Sequence, residues 1–336
     1  MDSEDLSIYS YEIDFWYYIF YFLKTVIKHD IEIIIMIICE EKMIDRSDIA
    51  VLVSSCDLYE DAWNPFFRLL QKNWSECPKH IYLNTETKHY NDEYFDITCL
   101  NSSSKIKWGA RLIHALEQID SDYILFFLED FFLLDKVNND LFLEALDLIK
   151  LDSVGVVKFI PHVQPESYYF SDISEHFSPT YRDFRARNAG MASLWKKNYY
   201  LKLLRAYEDP WEFEIFGAIR SRKYKEDIWF QNANSPCVFP YEVLIKYGYG
   251  ITKRKWLKNN KELFEKNQIR VNFDRLGWYD DDNMTPTKIV GVKRTKKGTK
   301  KEKLQMPFTN SSLFLKIVNY EIKQKLYYIK HFRNYF

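Results

Sequence analysis

"YILFFLEDFFLL", residues 123–134, sets two adjacent carboxylates, Glu129 and Asp130, in a run that is otherwise aromatic and aliphatic. Such a short apolar run reads as a strand buried on both faces. Two unpaired carboxylates inside it would cost several kcal/mol or have their pKa values driven upward. The pair is therefore expected at a strand tip, where either a ligand or neighbouring groups answer its charge. A plainer reading is also open, in which the acids cap a helix or meet Arg side chains.

The flanking sequence sets the run in a repeating pattern. "IAVLVSSCDLYED" (49–61) reads as a buried strand ending in small and acidic residues, and "AWNPFFRLLQKNW" (62–74) as a helix after Pro65. "KHIYLNTET" (79–87) is the next strand. "KWGARLIHALEQI" (107–119) carries a helical apolar face of Leu112, Ala115, Leu116 and Ile119. After the opening run come a helix, "NDLFLEALDLIKL" (139–151), and a strand, "VGVVKFI" (154–160). Alternating helices and continuously apolar strands predict an open, largely parallel, twisted α/β sheet. Sheets of this kind bind ligands at the carboxyl ends of their strands, where "SSCD" and "LED" both fall. A divalent cation there can offset the acid pair, because Mg²⁺ and Mn²⁺ take one or two carboxylates and fill the rest with phosphate oxygens and water.

Composition narrows the field. Hydrophobic content of 47% and charged content of 28% over 336 residues indicate a folded chain with a large core. Its five cysteines are odd in number and form no C-x-x-C pair, which excludes a zinc knuckle and suits a reducing, cytoplasmic compartment. No H-E-x-x-H accompanies the seven histidines, leaving a hard, oxygen-liganded cation as the metal to expect.

The net charge of −1 hides a gradient, since 21 Lys/Arg stand against 8 Asp/Glu from Ile251 onward. "KRTKKGTKKEK" (293–303) and the aromatic, basic tail after it suit either an anionic bilayer surface or a solvated loop and packed helix. No nucleic-acid motif accompanies that charge, so nucleic acid is not expected as a partner. "FWYYIFYFL" (15–23) and "IEIIIMIICEE" (31–41) are apolar but too short and too interrupted to span a bilayer. They read as a docked helix and strand or as a monotopic membrane contact. The expected organisation is an apolar extension (1–46), a catalytic α/β domain (47–260) and a basic, aromatic extension with a terminal helix (261–336).

Three blocks in order, "SSCDLYEDAWNPFFRLL", "WGARLIHALEQIDSDYILFFLEDFFL" and "NAGMASLWKKNYYLKLLRAYEDPWEFE", resemble bacterial glycosyltransferases of capsule and lipopolysaccharide assembly loci with the GT-A fold. The resemblance covers about residues 48–260. It implies a nucleotide-sugar donor, UDP-linked by preference, a glycan or lipid-linked glycan acceptor, and a peripheral location on the inner membrane face. Where the family closes a strand with D-x-D, this chain has Leu128, Glu129 and Asp130. The resemblance assigns the Mn²⁺ or Mg²⁺ to Asp130 and donor contact to Glu129. It likewise implies donor contacts from Ser55, Asp57, Arg111 and Gly190.

Plainer readings stand beside these assignments. Asp57 also suits the N-cap of the following helix, Arg111 can neutralise Asp130, and Trp108 reads as a core residue rather than a sugar platform. On the acceptor side, "EDPWEFEIFGAIRSR" (208–222) starts a helix through its Pro and early acids. Trp211 is then a sugar platform and Glu214, followed by Glu212, a general base for an inverting displacement. A nucleotidyltransferase is the nearest enzymatic alternative, although "SSCDLYED" lacks a Gly-rich phosphate loop. A non-catalytic scaffold at the membrane surface is the other.

Overall fold

β1 (Ile49–Ser54) runs through the centre of the protein with every residue buried. In this computed structural model the described residues are 48–159, 171–182, 184, 187–190, 192–241 and 250–279. The expectations for 1–46 and for the basic tail past 279 lie outside them. No helix among the described residues is long and apolar enough to cross a membrane.

A turn of 3-10 helix (Asp57–Tyr59) leads from β1 into α1 (Glu60–Asn73). This helix starts before Pro65 rather than after it. Glu60 and Asp61 occupy its first turn, where the helix dipole favours acids, and the preceding turn already sets the chain direction. β2 (His80–Thr85), β3 (Asp96–Asn101), α2 (Trp108–Gln118) and β4 (Tyr123–Leu128) follow, then α3 (Asn139–Lys150) and β5 (Val154–Lys158). β6 (Phe177–Pro179), β7 (Ser193–Lys196), α4 (Lys197–Leu203), a helix over 210–221 (α5) and β8 (Asp227–Gln231) come next. A two-stranded hairpin, β9 (Ile251–Thr252) and β10 (Lys255–Trp256), and α6 (Asn259–Lys266) complete the described chain.

Eight strands form one sheet in the order β3-β2-β1-β4-β7-β5-β8-β6. β1 pairs in parallel with β2 and β4, β2 with β3, and β5 with β8; β7 and β6 run antiparallel. The expected open, largely parallel α/β sheet is therefore present, with helices packed on it. From β1 the chain goes outward to β2 and β3, then crosses back to β4 on the other side of β1. Between β1 and β4 the order reverses, and such a switch point opens a crevice at the strands' carboxyl ends.

"FFLL" (131–134) does not continue the strand. β4 stops at Leu128, and Phe131 N–H closes a turn on the Leu128 carbonyl. Phe132 is drawn instead into an aromatic cluster, stacked on Trp256 and edge-on to Phe264. Leu133 is fixed by Asn73, whose Nδ2 donates to its carbonyl. Aromatic burial of this kind outweighs two more residues of strand pairing. Packing also continues past residue 260: Phe264 and Phe273 sit against Trp256, while Arg275 pairs with Asp61 on α1.

The main core lies between the sheet and α2 and α4. Leu112, Ala115, Leu116 and Ile119 face Ala50, Leu52, Ile124 and Phe126, and Trp195 stacks on Tyr200 at 4.0 Å. Trp108 packs against this core as a structural residue and donates its indole N–H to Ser54 Oγ at 3.2 Å.

Candidate functional site

Register fixes which side chains meet at the carboxyl edge. Ser54 pairs with Leu128, so Ser55 and Glu129 leave β1 and β4 side by side at the switch point. Ser55 Oγ accepts from Trp63 Nε1 at 2.7 Å and donates to the Cys56 carbonyl at 3.4 Å, beside the Glu129 carboxylate. Glu129 is buried. Burial first and the Asp130 charge second push its pKa well above the usual range, with Ser55 and Arg111 opposing. Burial likewise moves Asp130 from 3.8 to about 7, against hydrogen bonds from its own N–H and from that of Ile251. The Asp130 carbonyl accepts from Gly250 N–H at 2.6 Å, so the segment entering β9 is clasped to this residue. Among the described residues neither carboxylate makes an ion pair.

Arg111 lies beside this pair but does not neutralise it. Its Nη1 is 2.6 Å from Glu86 Oε1, just past the end of β2, while its buried Nε has no hydrogen-bond partner. Glu86 Oε2 in turn accepts from Asp57 N–H at 3.0 Å. Asp57 neither caps its own helix nor points freely into the crevice. Its Oδ1 accepts from the N–H groups of Glu86, Thr87 and Lys88, and its Oδ2 from Thr87. These bonds hold its carboxyl below the usual range despite some desolvation. Asp57 thus ties the loop after β1 to the loop after β2.

The residues expected on the acceptor side gather at the same edge. Ser193, the first residue of β7, pairs with Phe126 on one side and Lys158 on the other. Because β7 is antiparallel, residues just before Ser193 lie beyond the carboxyl ends of β4 and β5. Gly190 is one of them, and its N–H donates to Glu214 Oε1 at 2.6 Å. A Cβ at 190 would stand 3.2 Å from that oxygen, so glycine admits the carboxylate this closely.

α5 begins with a capping box. Glu212 N–H donates to Asp209 Oδ1 at 2.8 Å, and Glu212 Oε2 accepts from Asp209 N–H at 3.0 Å. Glu212 is thereby committed to the helix end. Glu214 is the second residue of a π-turn (Phe213–Gly217), a wider helical turn that recurs at functional sites, and Asn188 Nδ2 donates to the Phe213 carbonyl within it. Trp211, on the outer face of the same helix, is 73% exposed.

Lys158 is a site residue that sequence reasoning did not single out. It stands alone in the apolar strand "VGVVKFI", the same signal that drew attention to Glu129 and Asp130. Its buried Nζ donates to the Ala189 carbonyl at 2.9 Å and lies 4.8 Å from the Trp195 ring centre. Burial lowers its pKa to about 7, and the Glu214 charge opposes that shift. Burial raises Glu214, countered by Gly190 N–H and by Lys158. Beneath them Glu208 and Arg220 form a buried, two-pronged ion pair, with Arg220 Nε also donating to the Leu203 carbonyl at 2.8 Å. Gly109 N–H bonds the Glu208 carbonyl at 2.9 Å, and a Cβ there would run into the Arg205 carbonyl. The helix carrying Arg111 and the helix carrying Glu214 thus rest on one loop.

No protein-family model matches the sequence, and no curated protein does either. Among solved structures, the crystal structure of S. aureus TarS 1-349 is similar over 56% of this chain and 59% of that one, at 14% identity and TM-score 0.37. TarS 1-349 in complex with UDP-GlcNAc is similar at 13% identity and TM-score 0.38, over 56% and 57% of the two chains. The chain spans less than two thirds of the length of either.

Proposed function

We propose that this chain is a glycosyltransferase that moves a sugar from a nucleoside-diphosphate donor, UDP-linked by preference, to a hydroxyl of a glycan or lipid-linked glycan, with inversion. The observation that carries this reading is the pair of a buried Glu129 and a half-buried Asp130, without ion-pair partners among the described residues, at the switch point between β1 and β4.

A divalent cation fits the pair. Both groups are hard oxygen donors with no ion-pair partner among the described residues, and Gly250 N–H holds the Asp130 backbone at 2.6 Å. No group of three or more His, Cys, Asp or Glu side chains among the described residues makes a cage, so phosphate oxygens and water complete the shell. Asp130, with Glu129 behind it, would hold Mn²⁺ or Mg²⁺. When bound, such an ion offsets the charge of a departing diphosphate.

The remaining work falls to the chain's own groups. Ser55 orients Glu129, and Arg111 with Glu86 walls the nucleotide side of the crevice. Glu214 takes the acceptor hydroxyl's proton, while the exposed indole of Trp211 offers a stacking face to an acceptor sugar. One base on one side of the anomeric carbon supports a single displacement and hence inversion. Calorimetric titration of the full chain with UDP, with and without Mn²⁺, tests this. Mn²⁺-dependent binding is expected in the wild type and should be lost in Asp130→Asn at an unchanged melting temperature. Absence of UDP binding under both conditions would refute the reading.

A further inference from the structure

We propose that the β9–β10 hairpin is a cationic clasp for the donor's phosphates, with Arg254 as the side chain that touches them. The inference rests on the nucleoside-diphosphate reading above and adds a residue to that site. Its first support is backbone conformation. Lys253 and Arg254 form the two-residue turn between the strands, with φ of 48° and 65°. A turn with both central residues left-handed favours Asn-Gly, because a Cβ is disfavoured there. This chain instead keeps two long cationic side chains in the position. Strain of this kind concentrates at ligand clamps.

The hairpin's base is held firmly beside the acid pair. Gly250 N–H bonds the Asp130 carbonyl at 2.6 Å, and Leu257 N–H returns to the Gly250 carbonyl at 3.0 Å. Trp256 is fully buried against Phe132, Phe264 and Phe273. Tyr59 shows where the tip reaches. Burial first, then the Cys56, Glu129 and Asp130 charges, push its hydroxyl up to about 12, and Arg254 opposes that shift. The short hairpin that carries Arg254 at its tip is thus rooted at Asp130 through Gly250, next to the acids.

Charge balance gives the tip a role. A nucleoside diphosphate with one divalent cation still carries net negative charge, and it would arrive beside two carboxylates. Nearby cations among the described residues are already engaged: Arg111 with Glu86, Lys88 with Glu60, and Arg275 with Asp61. Lys253 lies against Tyr279, 3.2 Å from its hydroxyl. Arg254 is exposed and has no hydrogen-bond or ion-pair partner among the described residues. Its planar fork suits phosphate oxygens.

The test titrates the full chain with UDP and with uridine in the presence of Mn²⁺. Arg254→Ala should weaken UDP binding about ten- to a hundred-fold and flatten its salt dependence, while uridine binding stays unchanged. Replacing the pair as Lys253→Asn/Arg254→Gly should weaken UDP binding equally yet raise the melting temperature by a few degrees, since it relieves the turn. Wild-type UDP affinity in both variants would overturn the clasp while leaving the donor site standing. Equal loss of UDP and uridine binding would also overturn it, by showing that the hairpin holds the site's shape rather than phosphate. A wild-type protein that binds neither ligand would bring down the underlying reading itself.

Discussion

Replacing Lys158 by Met should make the protein more stable at pH 6.5 and less stable at pH 10. Lys158 is 1% exposed, and burial lowers its pKa from 10.5 to about 7. In the unfolded chain the amine returns to 10.5. Between these values the unfolded state holds a proton that the folded state lacks, so stability rises with pH across that window. Below pH 7 both states hold the proton, and the folded state carries the full cost of a buried ammonium. At about 1.4 kcal/mol per pH unit, that cost is roughly 5 kcal/mol. Methionine keeps the length and the packing but loses the bond to the Ala189 carbonyl, worth about 1–3 kcal/mol if the carbonyl is left unpaired. It also loses the contact with Trp195, worth about 0.5–2 kcal/mol. The balance at pH 6.5 is a gain of about 0–3.5 kcal/mol, centred near 2, and that centre corresponds to ~4–8 °C in melting temperature for a domain of this size. At pH 10 the charge cost has gone and the same losses remain, so the sign reverses.

Thermal unfolding of wild type and variant at pH 6.5, 8 and 10 reads this directly. A difference that does not change with pH would refute the reasoning, because the buried amine would then not be the group that titrates. The variant should also expose why the lysine is kept. Without its cation the Glu214 carboxylate loses the attraction that counters burial. The acid limb of the sugar-transfer profile should then move to higher pH although the fold is firmer. Stability given up for a tuned base is a recurrent exchange at active sites.

The other expectations are more direct. Glu214→Gln should lower sugar transfer about 10²–10⁴-fold with donor binding retained, whereas Glu212→Gln, whose amide oxygen can keep the capping box, should leave both stability and turnover near wild type. Arg220→Met should destabilise by about 3–5 kcal/mol in urea unfolding, since it takes the guanidinium from the buried Glu208 carboxylate, and adding Glu208→Gln should recover much of that loss. Gly109→Ala should lower the melting temperature markedly, because its methyl would meet the Arg205 carbonyl at 2.1 Å.

The parts of the fold that sequence could reveal are those where one physical signal dominates. β1, β4 and β5 are continuous apolar runs, and α2 and α3 carry clean helical faces, so the parallel half of the sheet was readable. β7 was not. "SLWK" is a four-residue segment whose place between β4 and β5 is set by pairing on both sides rather than by its own pattern. Pro65 misplaced a helix start because proline was weighed above the acids before it. Within the site, chemistry was easier to find than commitment. Asp57 and Glu212 are acids in suggestive places, yet each is taken up by backbone N–H groups that no sequence pattern announces. Arg111 was expected near phosphate or Asp130, and its ion pair with Glu86 depends on two loops meeting. Lys158 carried a usable signal, a lone charge in an apolar strand, and differed from the acid pair merely in sign.

The aromatic surplus acquires a reason from this geometry. Four charged groups, Glu129, Asp130, Lys158 and Glu214, stand in or beside the core at one sheet edge, and burial works against the charged form of each. Such an edge loosens unless something rigid holds the backbone around it. Large rings supply that support here at three places. Trp63 bonds Ser55 behind Glu129, Phe132 with Trp256 and Phe264 anchors the segment clasped to Asp130, and Trp195 with Tyr200 underlies Lys158. Each ring buries a large apolar area with few rotatable bonds, so it stabilises the fold and fixes direction together. Trimming one should therefore do two separable things. Phe264→Leu should lower stability by about 1–3 kcal/mol and also weaken Mn²⁺-dependent UDP binding, although Phe264 touches neither acid. A core change of equal cost on the far side of the sheet, such as Leu116→Ala, should leave that binding intact once the protein is folded.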